Sequence, residues 1–86
     1  MMQMYNAVVD GDVVTIRRLA AEGADVNAPG DGGLRPLHGA AQEGHVDAVQ
    51  VLVEVGADVN ASAADGTRPL HMAAKKGHVD AVQVLV

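Results

Sequence analysis

The chain has 86 residues, one aromatic residue, no cysteine and a formal net charge of −5. This length allows one small domain, 1–86, and the lack of cysteine excludes disulfides and thiolate metal sites, as is usual for an intracellular, cytoplasmic protein. Only six Lys and Arg residues are present, and they form no stripe, which argues against nucleic-acid binding. No apolar run approaches the roughly 20 residues of a membrane span, and the start MMQMYNAVV lacks the basic region of a signal peptide.

The sequence repeats itself with a period of 33 residues. The stretch RPLHGAAQEGHVDAVQVLV at 35–53 returns at 68–86 with three changes, and GADVNA at 23–28 returns at 56–61. Gly11-Asp12-Val13 holds the equivalent place in an earlier, less similar unit. A fixed period of this length indicates stacked repeats. The predicted units are a capping-like unit at 1–31, a second unit at 32–64, and a third at 65–86 that stops after its second helix.

Each unit is predicted to contain two short helices followed by a finger-like loop. In the middle unit, Pro36 suits the first position of a helix, where its missing N–H costs nothing, and Gly44 ends that helix. A second helix follows, with Asp47 in its first turn, where a carboxylate meets the positive end of the helix dipole. Gly56 ends this helix as a left-handed cap, and the turn-rich residues 57–67 follow. The apolar stripe of the second helix is predicted at Val46, Val49, Leu52 and Val53.

These units resemble ankyrin repeats over nearly the whole chain. The resemblance rests on the 33-residue period, on PLHxAAxxGHVDAVxVLV in two units, and on GADVNA between units. It implies an all-α solenoid in which the first helices line a concave groove, the second helices form the convex back, and β-turn fingers project. Arg35 and Arg68 replace the Thr that the family usually has before Pro-Leu-His. Tyr5 stands at the His position of the first unit, which is typical of a capping unit.

The side chains that could carry out chemistry have structural interpretations. The histidines occupy equivalent places in successive units, as the pairs His38/His71 and His45/His78. No adjacent ligand set completes a metal site, so we interpret them as holding loops by hydrogen bonds. No hydroxyl side chain has a histidine near it in the repeat pattern that could act as its base. No phosphate-binding glycine loop is present either. We therefore expect a non-catalytic protein without a metal or other cofactor.

Asn27 and Asn60 are interpreted as loop residues that hydrogen-bond their own backbone. The resemblance adds a second reading, in which an asparaginyl hydroxylase modifies these two residues. A Leu eight residues earlier favours that modification, and Leu19 and Leu52 stand there. The modification also requires a host that has the enzyme.

The two near-identical stretches differ only on the first helix or at its end. The differences are Gly39 against Met72, Gln42 against Lys75, and Glu43 against Lys76. If the shared positions carry the stacking, the differing ones predict a surface that binds a partner protein, although they could also be solvated positions without a partner. The surface changes from acidic in the first two units to basic at Lys75 and Lys76. The charges of the partner should therefore be opposite in sign to those of the surface that they face. The predicted partner-binding residues are Asp10, Asp31, Leu34, Gln42, Glu43, Asp65, Thr67, Met72, Lys75 and Lys76.

A second interpretation is a structural or self-associating piece, either cut from a longer array or engineered as a scaffold. A terminal repeat normally has a polar outer face, whereas the last unit here is apolar. This uncapped face would pair with another copy of the chain to form a homodimer. Its predicted residues are Leu70, Ala73, Ala74, Val79, Val82 and Leu85.

Overall fold

The computed structural model describes residues 3–86, so Met1 and Met2 of the Met-rich start lie outside the described residues. This part of the chain forms six α-helices and no β-strand, which confirms the all-α prediction. The helices are α1 (Gln3–Asp10), α2 (Val13–Ala21), α3 (Pro36–Glu43), α4 (Val46–Glu54), α5 (Pro69–Lys75) and α6 (Val79–Leu85). A 3₁₀ turn, Asp31–Gly33, lies in the loop between α2 and α3. None of the helices in residues 3–86 has the length and apolar character needed to cross a membrane.

The helices stack in two rows. The first helices of the units, α1, α3 and α5, pack side by side in one row, and the second helices, α2, α4 and α6, form the other. Each first helix also packs on the second helix of its own unit. The core between the rows consists of small aliphatic side chains, with Ile16, Leu37 and Leu52 among its largest fully buried members. The middle unit therefore has a neighbour on both sides.

Glycines end the helices of the middle unit where the sequence predicts. Gly44 and Gly56 have φ angles of 72° and 105°, a region in which a Cβ is unfavourable. After Gly44, the N–H of His45 donates to the carbonyl of Ala40 at 3.2 Å. After Gly56, the N–H of Ala57 donates to the carbonyl of Leu52 at 2.8 Å. These bonds satisfy carbonyls that a helix end would otherwise leave without partners.

The buried face of α4 is wider than the predicted stripe and is turned relative to it. Val49 and Leu52 are fully buried, as predicted. Val46 is only half-buried and Val53 is 37% exposed, so their assignment to the stripe is wrong. The other buried residues are Ala48 and Val51. The reason is that α4 packs against α2 on one side, α6 on the other and α3 beneath, whereas the predicted stripe assumed one packing partner.

Three of the four histidines join neighbouring units through backbone carbonyls. The prediction that they hold loops is confirmed for His38, whereas His45 and His78 bond to carbonyls of α1 and α3. His38 is fully buried; its Nδ1 accepts from the N–H of Arg35 at 3.0 Å, so Nε2 carries the proton. The Nε2 atoms reach carbonyl oxygens of an adjacent unit, from His38 to Thr67 (2.8 Å), from His45 to Val9 (2.8 Å) and from His78 to Gln42 (3.0 Å). His71 is exposed and accepts the N–H of Arg68 at 3.0 Å. Within residues 3–86, no three His, Cys, Asp or Glu residues cluster so as to hold a metal ion.

Candidate partner-binding surface

The predicted partner-binding residues lie on the fingers and on the first helices, where all but Met72 are at or next to the C-terminal end. We call these ten residues the finger–helix surface. Asp10, Glu43 and Lys75 are the last residues of α1, α3 and α5, and Lys76 follows directly. The finger positions are Asp31, Leu34, Asp65 and Thr67. All ten residues are exposed or half-buried, so every one of them is accessible to a partner.

The two fingers are linked to each other by their backbones. A hydrogen bond closes the base of each finger, from the N–H of Gly30 to the carbonyl of Leu34 (2.7 Å) and from the N–H of Ala63 to the carbonyl of Thr67 (2.8 Å). Between them, the N–H of Ala64 donates to the carbonyl of Gly32 at 2.8 Å. A Cβ on Gly33 would lie 2.9 Å from the nitrogen of Ala64, so this approach requires glycine. The finger tips therefore form one continuous edge of the surface.

Asp65 contributes a fixed negative charge to the second finger. The N–H of Thr67 donates to its Oδ1 at 3.0 Å. Hydrogen bonds from the hydroxyl and the N–H of Thr67 hold the pKa of Asp65 below its ordinary value of 3.8. The carboxylate is consequently ionised at neutral pH, and its charge faces solvent.

Asn27 bridges two loops instead of bonding its own backbone. Its Nδ2 donates to the carbonyl of Gly56 at 3.1 Å, and its Oδ1 accepts the N–H of Asp58 at 2.8 Å. The local interpretation of Asn27 is therefore wrong. The side chain of Asn60 makes no hydrogen bond within residues 3–86, although its N–H donates to Asp58 at 2.9 Å. Hydroxylation of either asparagine stays a prediction.

Arg35, which replaces the family's usual Thr, also supports the loop beside the first finger. Its Nη1 donates to the carbonyl of Asn27 at 2.9 Å. The bond from its N–H to His38 needs only backbone, so the replacement preserves that half of the helix cap. Its Nε is buried without a partner among the described residues. The exchange thus retains the cap and adds a loop contact, at the cost of one unsatisfied donor.

The ion pairs of the described residues involve the second-helix row and not the finger–helix surface. Arg17 on α2 pairs with Glu54 on α4 at 2.8 Å, and Arg18 pairs with Glu22 at 3.4 Å. No charged residue of the finger–helix surface forms an ion pair within residues 3–86. The charges of this surface are therefore available to another molecule.

A cavity of about 260 Å³ lies between the first finger and α1. It contains Asp31 and Leu34, which the sequence predicts as binding residues, but most of its walls were missed. They come from α1 and from the loop before the finger, which meet only when the units stack. The position of Tyr5, the only aromatic residue, is the one available sequence signal. The principal lining residues are Met4, Tyr5, Pro29, Leu34, Asp25 and Asp31.

The predicted self-association face is smaller than the sequence suggests. Ala73 and Leu85 are buried within the chain, at 0% and 9% exposure, and are not available to another copy. Val79 is 64% exposed and Ala74 is also exposed. Leu70 and Val82 are half-buried.

Together, the two helix rows and the fingers define a helical repeat protein with an extended, charged finger–helix surface. The family model for ankyrin repeats matches residues 4–86 in three copies, and the chain belongs to the ankyrin repeat family. Ankyrin repeats are generally protein–protein interaction modules, and the family is generally non-catalytic. A comparison with curated proteins finds no match.

Proposed function

We propose that this chain binds a partner protein through the finger–helix surface, without catalysis. The observation that carries the proposal is the placement of Asp10 and Glu43 at the C-terminal ends of α1 and α3. The C-terminal end of a helix carries a partial negative charge, so a carboxylate there is unfavourable for the chain itself. No cation within residues 3–86 pairs with either carboxylate. A partner that supplies positive charge would account for both.

The third unit has the opposite charge at the place equivalent to Asp10 and Glu43, which is Lys76, and a second cation, Lys75, one residue earlier. Lys75 and Lys76 lie at the end of α5, where a cation suits the helix dipole. The partner should therefore be basic opposite the first two units and acidic opposite the third.

The charge reversal Lys75→Glu/Lys76→Glu tests this proposal. A partner is first isolated by affinity capture from the source organism, which only supplies the probe, and its binding is then measured by calorimetry. We expect the reversal to weaken binding while the helical circular dichroism stays the same. The matched control is Arg17→Glu/Arg18→Glu, which changes the net charge equally but lies on α2. Equal binding by wild type and the Lys75/Lys76 variant would refute the assignment of this surface.

Self-association through the last unit is a second candidate, favoured by the exposed side chain of Val79. Static light scattering at several protein concentrations measures it directly. Self-association predicts a dimer that forms with rising concentration and is lost in Val79→Lys. A monomer at all concentrations would eliminate this candidate.

A further inference from the structure

The lining of the cavity beside Tyr5 combines apolar residues with two acidic ones. Met4 and Tyr5 come from the start of α1, and Pro29 and Leu34 come from the first finger and the loop before it. Asp25 and Asp31 are the acidic residues of the same lining. An apolar interior with acidic groups suits a ligand that has an apolar stem and a cationic head.

The size of the cavity suits a single long side chain better than a drug-sized ligand. Sites for drug-sized ligands have volumes of roughly 300–1,000 Å³, and this cavity has about 260 Å³. Because it opens beside the finger–helix surface, a partner bound there could insert one long side chain.

The two carboxylates have unused hydrogen-bonding capacity. Oδ1 of Asp25 accepts the N–H of Asn27 at 2.9 Å, which leaves its second oxygen free. The carboxylate of Asp31 makes no hydrogen bond within residues 3–86, and neither group is in an ion pair there. Arg35 does not line the cavity, and its Nη1 donates to the carbonyl of Asn27. Both carboxylates can therefore accept from an incoming cation.

Gly39 sets the position of the aromatic wall. An ideal Cβ on Gly39 would lie 3.4 Å from Cε1 of Tyr5, so the ring packs directly over this glycine. The third unit has Met72 at the equivalent position. A side chain of that length on residue 39 would displace the ring. This gives one of the three differences between the twin stretches a physical consequence.

From these contacts we propose that the cavity receives an arginine side chain of the partner protein. The planar guanidinium can stack on Tyr5 and donate to the carboxylates, while its methylene groups contact Leu34 and Met4. This inference rests on the proposed function and specifies the chemistry of the partner at the first finger. It also agrees with the acidic character of the first two units.

In the test, the full chain is labelled with ¹⁵N and short peptides are added to it. The probes are capped Gly/Ser peptides that differ only in one central residue, which is Arg, Lys, Leu or Glu. We expect the Arg peptide to shift the amide resonances of residues 4–5 and 28–34, with weaker shifts from Lys and none from Glu. Asp25→Asn/Asp31→Asn should weaken Arg binding about tenfold, because charge-assisted hydrogen bonds are lost. The asparagine at 25 keeps the oxygen that accepts from Asn27, so the loop should remain folded.

Two matched controls separate the site from general charge and stability effects. Asp47→Asn/Asp58→Asn removes the same charge outside the cavity and should leave Arg binding within about twofold of wild type. Asp58 is the equivalent of Asp25 and accepts an N–H in the same way, from Asn60. Gly39→Met should abolish the Arg response by displacing Tyr5, whereas Gly39→Ala should retain it.

Three results would overturn the arginine assignment. The first is that the Leu or Glu peptide gives shifts as large as those of the Arg peptide, and the second is that the Lys peptide binds more tightly than the Arg peptide. The third is that the control variants lose as much Arg binding as Asp25→Asn/Asp31→Asn does. Absence of an Arg response in a chain whose partner binding depends on Lys75 and Lys76 would overturn this inference alone. An Arg response in a chain whose partner ignores that charge reversal would instead refute the proposed function and leave the cavity assignment standing.

Discussion

At the residue scale, the bonds between units depend on a few small or polar side chains. Gly44 shows this most directly, because the imidazole of His78 lies against it. A Cβ on Gly44 would be 2.6 Å from Nδ1 of His78, and Gly44 also has a φ of +72°. Gly77 has nearly the same φ, +76°, but nothing lies within 4 Å of its Cβ position. Both glycines therefore have a left-handed backbone, but only Gly44 lacks space for a Cβ.

We predict that Gly44→Ala destabilises the chain more than Gly77→Ala does. The Gly77 variant should lose about 1–2 kcal/mol, which is the cost of a left-handed residue other than glycine. The Gly44 variant should lose more, since the His78 ring must also move from its bond to Gln42. Urea unfolding of both variants measures the difference. Equal losses would show that the imidazole does not constrain this position.

Asn27 provides a second comparison at the residue scale. Asn27→Ala should lower the free energy of unfolding by about 1–3 kcal/mol, because two hydrogen bonds between loops are removed and their backbone partners lose them. Asn60→Ala should change it by no more than about 0.5 kcal/mol, because only the backbone N–H of Asn60 is bonded. Thermal unfolding of the two variants gives the comparison. A similar loss in both would mean that the bridge between the loops contributes little.

At the element scale, α4 holds the stack together. It packs against helices of both neighbouring units, whereas α2 and α6 each pack against one second helix among the described residues. Leu52 on α4 is fully buried, and Leu85 is its equivalent on α6 at 9% exposure. The same leucine side chain is thus present on a helix with a neighbouring unit on both sides and on a helix with a neighbouring unit on one side.

Leu52→Ala should cost about 2–5 kcal/mol, the range for a large-to-small substitution in a packed core. Leu85→Ala should cost less, because its surroundings can collapse into the space more easily. The denaturant midpoints of the two variants measure both losses, provided that the m-value, the slope of unfolding free energy against denaturant concentration, is unchanged. An unchanged midpoint in Leu52→Ala would refute the central placement of Leu52. A larger loss in Leu85→Ala would show that α6 contributes more to the stability of the stack than α4 does.

At the scale of the whole molecule, the main helix contacts within residues 3–86 lie inside a unit or between neighbouring units, so stability should be a sum of unit and interface terms. The middle unit contributes to both interfaces and the outer units to one each. Local opening should therefore begin in the outer units.

This arrangement predicts a gradient of amide hydrogen exchange. The slowest amides should lie in α3 and α4, and those of α1, α2, α5 and α6 should exchange faster. Exchange measured by NMR at neutral pH reports each helix separately. Uniform protection across the six helices would indicate a single cooperative unit, and slowest exchange in α5 or α6 would contradict the stacking argument.

The sequence by itself determined the repeating frame of this protein. The 33-residue period places six helices, Pro36 starts one of them, and Gly44 and Gly56 end two, because these effects are local to a few residues of backbone. The burial of Leu52 and a hydrogen-bonding role for the histidines also followed from position within the frame, but the carbonyls that the histidines reach did not. The comparison of the twin stretches predicted the first-helix part of the finger–helix surface at Gln42, Glu43, Met72, Lys75 and Lys76.

Only the tertiary structure decided which residues of one unit meet those of the next. Asn27 reaches Gly56 and Asp58, α4 buries Ala48 and Val51, and Tyr5 packs over Gly39 beside a cavity. These contacts join residues about one repeat apart, so they depend on the angle and distance at which the units stack. A pattern within one unit carries no measure of that geometry. For this reason the helices could be predicted from the sequence, whereas the cavity and the loop bridge could not.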